Sequence, residues 1–83
     1  MALYHYESCP FCRKVREVAD RLDLDIELRN IRKDIDYRDE LKNGVGQTQV
    51  PCLRIEGEDE TRWLYESDDI IAFLMDVFGQ EEA

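Results

Sequence analysis

Apolar residues recur along this chain with two different periods, and each change of period marks a change of element. Residues 2–6 are short, apolar and aromatic-rich, and read as a strand. Over residues 10–23 the period becomes helical. Cys12, Val15, Ala19 and Leu22 make one stripe with Val18 beside it, and Arg13, Lys14, Arg16, Glu17, Asp20 and Arg21 take the other face. Pro10 suits a first helical position, where its missing N–H costs nothing, so Cys9 falls at or beside the N-cap. Residues 24–30 alternate, with Leu24, Ile26 and Leu28 against Asp25, Glu27 and Arg29, and predict a second strand. Strand, helix, strand in so short a span implies parallel strands and a right-handed crossover.

The second half reverses the order. A short helix is expected from Asp36 or Tyr37 to Lys42, capped by Asp36 and stopped by Asn43-Gly44-Val45-Gly46. Residues 47–51 are extended. Residues 52–55 and 62–65 are strands joined by an acidic turn containing Gly57. Ser67 is the expected N-cap of a last helix over 68–78, with Ile70, Ile71, Leu74, Val77 and Phe78 on its apolar face. Asp68 and Asp69 favour the positive end of its dipole, Gly79 stops it, and 80–83 is a polar tail. The order β-α-β-α-β-β-α predicts an α/β fold, a mixed four-stranded sheet flanked by three helices lying on both faces. Residues 1–83 are expected to form a single domain.

Charge changes the picture in one respect. The net charge of −9 argues against nucleic acid and anionic membranes as partners. Nine of the eleven basic residues but only ten of the twenty acidic ones precede Asn43, so the first half is near neutral and better suited to an anion. The start has neither a basic region nor a long apolar one, and no run is long enough to span a membrane. The expectation is therefore a cytoplasmic protein. Three cysteines are an odd number, which does not fit a purely structural set of intramolecular disulfides.

The chemistry concentrates at Cys9-Pro10-Phe11-Cys12. Two thiols three residues apart at a strand-to-helix junction are a redox signature. A sulfur at the N-cap can accept from the N–H groups of Phe11 and Cys12, and the helix dipole favours its thiolate. Cys9 is therefore the expected nucleophile. Cys12 lies on the apolar stripe, so it should be more buried and less ionised. Side chains at i and i+3 lie about 5–6 Å apart at Cβ and a disulfide wants roughly 3.5–4.5 Å, so a Cys9–Cys12 bond should be readily reduced. A zinc site would need further ligands, and only His5 and Cys52 are at hand. His5 reads better as a packed or surface residue, and Cys52 as a small core residue.

Three segments together resemble the glutaredoxin family of the thioredoxin superfamily: Cys9-Pro10-Phe11-Cys12, then Gln49-Val50-Pro51, then Ser67-Asp68-Asp69. The resemblance implies a thioredoxin-like, minimal glutaredoxin fold, a cis bond before Pro51, and a thiol–disulfide oxidoreductase with catalytic Cys9 and Cys12. It implies glutathione as co-substrate and no metal. Phe11 and Pro51 would border the glutathione and Val50 would pair with its cysteinyl backbone. Ser67 and Asp68 would hold the γ-glutamyl carboxylate, Asp68 or Asp69 would meet its ammonium, and Arg38 and Gln47 would face the glycyl carboxylate. Partners would be glutathione and disulfide-containing or glutathionylated proteins, and the chain a monomer. Many family members carry Lys three residues before the nucleophile. Tyr6 stands there in this chain, which removes a cation from the expected site.

The run Gln49-Val50-Pro51-Cys52-Leu53 with Tyr65-Glu66-Ser67-Asp68-Asp69 is also similar to the N-terminal domain of glutathione S-transferases, where Glu66 and Ser67 would hold the γ-glutamyl group. Two alternatives follow from these resemblances: a non-catalytic glutathione-binding module, and a redoxin reduced by thioredoxin reductase.

Overall fold

In a computed structural model, which describes residues 1–79, the chain runs β1 (Ala2–His5), α1 (Pro10–Arg21), β2 (Glu27–Asn30), α2 (Ile35–Val45), β3 (Cys52–Glu56), β4 (Thr61–Tyr65) and α3 (Ser67–Phe78). The expected polar tail at 80–83 lies outside the described residues. The four strands form one sheet in the order β2-β1-β3-β4. β1 and β2 are parallel, while β1–β3 and β3–β4 are antiparallel. The sheet is therefore mixed and the element order is the expected one.

Alternation along the strands sorts the core into two layers. Leu3 and Leu53, paired across β1 and β3, face Val15 and Ala19 of α1 and Ile70 and Leu74 of α3. Ala2, Tyr4 and Cys52 face the other way, toward Leu41 of α2, with Trp63 and Tyr37 packed at the edge. Helices thus cover both faces. The second layer also carries a polar clamp. The Tyr4 hydroxyl donates to Glu40 Oε1 at 2.8 Å and accepts from Arg29 Nη1 at 2.8 Å. Arg29 Nη1 also reaches Glu40 Oε1 at 2.9 Å, so β1, β2 and α2 are tied at one point.

Boundaries of β2, α2 and α3 differ from the sequence expectation, for tertiary or capping reasons. β2 begins at Glu27, not Leu24, because residues 22–24 close the end of α1. Leu24 N–H donates to the Ala19 carbonyl at 2.9 Å, Asp23 N–H to Asp20 at 3.0 Å, and Asp23 sits at φ 59°. That is a Schellman cap with Asp in the left-handed position glycine usually takes. Leu28, on an edge strand, is 50% exposed rather than buried. α2 starts earlier and ends later than expected. Asp34, not Asp36, caps it by accepting from Asp36 N–H at 2.9 Å. It runs through Gly44 and stops only at Gly46, which is left-handed at φ 92°. Gly44 is there for room, since a Cβ would overlap the Trp63 ring. Finally, Ser67 is not the N-cap of α3. Glu66 occupies that place at φ 88° and makes no side-chain cap bond, and Ser67 is the first helical residue. Among the described residues no helix is long and apolar enough to cross a membrane.

Candidate active site

The turn between β1 and α1 sets the thiols. Cys9 has an extended backbone (φ −78°, ψ 118°), donates its N–H to the Tyr6 carbonyl at 3.2 Å, and so leaves the strand as the N-cap of α1. Its sulfur accepts the Cys12 N–H at 3.4 Å. This is the N3 donor that an N-cap side chain reaches. The expected second bond from Phe11 N–H is not made, because the cap geometry aims the sulfur at N3 alone. Cys9, Cys12 and Cys52 are all free thiols.

The two thiols of the motif sit in different surroundings. Cys9 is 5% exposed and Cys12 is fully buried on the inward stripe of α1. Burial, reinforced by the contact with Cys9, pushes the Cys12 thiol up to about 12. The backbone of Tyr6 and the charge of Arg16 oppose that shift in part. Cys52 is also fully buried, but in the opposite layer with Tyr4 and Leu41, and burial pushes its thiol up to about 12. His5 is buried, not exposed, and its Nδ1 has no partner. Burial, and after it the charge of Arg16, lowers its proton affinity, so it is held neutral. Among the described residues no group of three or more His, Cys, Asp or Glu is placed to hold a metal ion.

Far-apart segments meet beside the motif. Phe11, which is 57% exposed, Gln49-Val50-Pro51 and Glu66-Ser67-Asp68 surround one cleft of about 240 Å³. The Val50–Pro51 bond is cis, as the resemblance implied. Phe11, Val50, Pro51, Ser67 and Asp68 are therefore brought together. Arg38, Gln47 and Asp69 do not line this cleft. Arg38 opens onto a neighbouring cleft with Tyr6 and Thr48, and Gln47 hydrogen-bonds Gln49 at 3.3 Å. Asp69 points its N–H at the Glu66 carbonyl, 3.1 Å away.

Two contacts had no signal in the sequence. Lys14 Nζ lies 3.7 Å from Asp68 Oδ1 and joins α1 to the start of α3, whereas Arg13 turns away to Glu17 at 3.4 Å. Arg32, in the loop after β2, lays its guanidinium 3.7 Å from the centre of the Tyr6 ring. Neither residue lies on a periodic apolar stripe. Only their three-dimensional neighbours give them meaning.

A family model of the glutathione S-transferase N-terminal domain matches residues 3–82. The chain belongs to that family. Within it, the sequence is similar to glutaredoxin 2 of Escherichia coli, 34% identical over 80 residues, covering 96% of this chain and 35% of that protein. It is also similar to an uncharacterized glutaredoxin-like 8.6 kDa protein in the rubredoxin operon of Clostridium pasteurianum, 29% identical over 55 residues, covering 66% of this chain and 73% of that one. The chain spans about a third of the length of the glutaredoxin 2 relatives it matches.

Solved structures of the family share the fold. Glutathione S-transferase 1-6 of Anopheles dirus species B superposes with a TM-score of 0.77 at 24% identity, over 98% of this chain and 37% of that one. Maleylacetoacetate isomerase of Anaeromyxobacter dehalogenans 2CP-1, solved with dicarboxyethyl glutathione and citrate in its active site, does so at 0.73 and 23% identity, over 95% of this chain and 37% of that one. The fold is the thioredoxin-like one of glutathione S-transferase N-terminal domains, as the sequence motifs implied.

Proposed function

We propose that the chain is a glutathione-dependent thiol–disulfide oxidoreductase of the glutaredoxin kind, with Cys9 as nucleophile and Cys12 as resolving thiol. The observation that carries the reading is the unequal pair: an N-cap sulfur that accepts a helix N–H, three residues from a buried thiol, beside the cleft of Val50, Pro51 and Ser67. The Cys9 sulfur sits at the N-terminal end of α1 with one helix N–H donated to it, while burial keeps Cys12 protonated until it is needed.

The Cys9 thiolate attacks the glutathione sulfur of a mixed disulfide, expels the substrate thiolate and becomes Cys9–S–S–glutathione. A second glutathione thiolate attacks that bond, and the products are glutathione disulfide and the Cys9 thiolate. With a protein disulfide, Cys9 forms a mixed disulfide with one substrate sulfur. Cys12 then attacks Cys9, its proton passing to the departing thiolate, and the Cys9–Cys12 disulfide is reduced by two glutathiones. Val50 would pair with the cysteinyl backbone of glutathione, with Phe11 and Pro51 bordering it. Ser67 and Asp68 at the start of α3 would hold the γ-glutamyl carboxylate, an ordinary use of a helix N-terminus. Its ammonium would compete with Lys14 for Asp68. Asp69 is a less direct contact, and Arg38 and Gln47 would act from outside this cleft.

The buried thiols suit a reducing, cytoplasmic setting, and we take this domain to act as a monomer on glutathione and disulfide-bearing proteins. Replacing Cys9 with Ser should abolish turnover of a glutathione mixed disulfide. Replacing Cys12 with Ser should spare it and abolish reduction of protein disulfides. Turnover of both substrates by the Cys9 variant overturns the mechanism. One observation favours a second reading, a non-catalytic glutathione-binding module: Glu66 and Ser67, the pair expected to hold a γ-glutamyl group in the transferases, both line the cleft. Tight binding of S-methylglutathione with no thiol-dependent turnover by the native chain would establish that reading instead.

A further inference from the structure

Among the described residues His5 is the one polar side chain in the core, at 3% exposure, and its Nδ1 has no hydrogen-bond partner. Side chains alternate along β1, so His5 shares the face of Leu3, which α1 and α3 cover. β1 and β2 are parallel, so α1, which joins them, runs back along the sheet against the direction of β1. Val15 and Ala19 pack with Leu3, and Cys12, one turn earlier, comes over the end of the strand where His5 stands. Arg16, one turn after Cys12, closes the same corner by donating from Nη2 to the Glu7 carbonyl at 3.4 Å. The Tyr6 backbone and the Arg16 charge act on both the Cys12 thiol and the His5 imidazole. The imidazole and the resolving thiol are thus neighbours.

Packing alone does not account for His5, because an apolar side chain would fill the position without an unsatisfied nitrogen. The resolving step supplies a use for it. Cys12 must lose its proton to attack Cys9, yet burial pushes it up to about 12, so its thiolate is scarce at neutral pH. A neutral imidazole with an unbonded ring nitrogen is a proton acceptor, and burial, then the charge of Arg16, holds His5 in that form. The other groups around it do not fill that role. Arg16 is a cation, and the Glu7 carboxylate pairs with Lys33 at 3.8 Å. Asn30, in register with His5 on β2, uses its Oδ1 to accept the N–H groups of Arg32 and Lys33. From α3 this layer receives Ile70 and Leu74.

We propose that His5 is the proton acceptor for Cys12 in the resolving step, directly or through one water molecule. The inference rests on the oxidoreductase reading, because it concerns the second of that mechanism's two thiols. As the Cys12 sulfur bonds to the Cys9 sulfur, the bond from Cys9 to the substrate sulfur breaks. Its electron pair leaves with the substrate thiolate, and the Cys12 proton moves to His5. The imidazolium then yields that proton to the departing thiolate or to solvent. Arg16 beside it keeps the imidazolium short-lived.

A single turnover isolates the step. The reduced chain is mixed with the disulfide of glutathione and thionitrobenzoate, which charges Cys9 with glutathione and releases thionitrobenzoate. Cys12 then expels the glutathione, and acid quench with mass spectrometry follows loss of the adduct. In the native chain this rate should be flat between about pH 6.5 and 8, because the imidazole is neutral throughout. In His5→Leu it should be about 100-fold slower at pH 7 and climb about tenfold per pH unit, because only preformed thiolate then reacts. His5→Gln, which keeps a polar side chain, should behave like His5→Leu. A native rate that itself climbs tenfold per pH unit overturns the proposal without any variant. A His5 variant that resolves at the native rate with a flat profile also overturns it, and leaves the redox reading intact. Failure of Cys9 to take up glutathione overturns the redox reading and the role of His5 with it.

Discussion

Cys9 and Cys12 are the same side chain in two environments, and the difference is set by single contacts: one N–H at an N-cap sulfur, and complete burial one turn later. The same logic predicts how stability follows pH. His5 has its proton affinity lowered by burial from an ordinary value of 6.5. Below that value the unfolded chain binds more protons than the folded one, so stability should fall as pH drops from about 6.5. Cys12 and Cys52 are pushed up to about 12 from 9.0. Above 9.0 the unfolded chain loses thiol protons that the folded chain keeps, so stability should fall again as pH rises. Urea midpoints measured across that range should show a plateau between the two limbs. Cys52→Ala should flatten the alkaline limb and His5→Leu the acid limb. A monotonic profile contradicts both assignments. The inequality of the two thiols was legible in the sequence, since a Pro after Cys9 marks a helix start and Cys12 falls on the apolar stripe. The direction of Cys52 was not. Alternation says which residues share a face, but it does not say which helix covers that face.

At the level of elements, periodicity gave all seven in the right order, and the errors lie where a contact from elsewhere overrides a local signal. Asn43-Gly44 reads as a helix stop, yet α2 continues through it because Trp63 of β4 packs where a side chain would be. Gly44→Ala improves helix propensity by roughly 1 kcal/mol. It should nevertheless destabilise the protein by about 1–3 kcal/mol through overpacking, read as a lower denaturant midpoint. Combining it with Trp63→Leu should cost less than the sum of the two single losses. Stabilisation by Gly44→Ala alone would show that the glycine serves only the backbone. Leu24 gives the opposite lesson. Its alternation with Ile26 and Leu28 fits a strand, but its N–H is used to cap α1, and β2 starts three residues later. Glu66 is the third case. A serine followed by two aspartates is a strong N-cap pattern, but the chain turns at Glu66 with a positive φ of 88° and carries Ser67 into the first turn. There Ser67 lines the cleft as the first helical residue rather than capping the helix.

Across the whole molecule, the segments that carry the motifs meet at one cleft lined by Val50, Pro51 and Ser67, and each was visible because it is contiguous in sequence. The Arg32–Tyr6 stack was not legible, because it joins the loop after β2 to the end of β1 and leaves no pattern in either. The full assembly should behave as a glutathione-coupled pair. In glutathione redox buffers the Cys9–Cys12 couple should equilibrate at roughly −200 to −230 mV, and glutathione rather than thioredoxin reductase should sustain turnover. A value near −270 mV with reductase-driven turnover would favour a thioredoxin-like partner instead. The central claim, that Cys9 carries glutathione between substrate and reductant, is tested most directly by mass spectrometry of the Cys12→Ser variant after exposure to glutathione disulfide. One glutathione should be attached, at Cys9, and reduced glutathione should discharge it. An adduct at Cys52, or none at all in a variant that still turns over, would contradict the account.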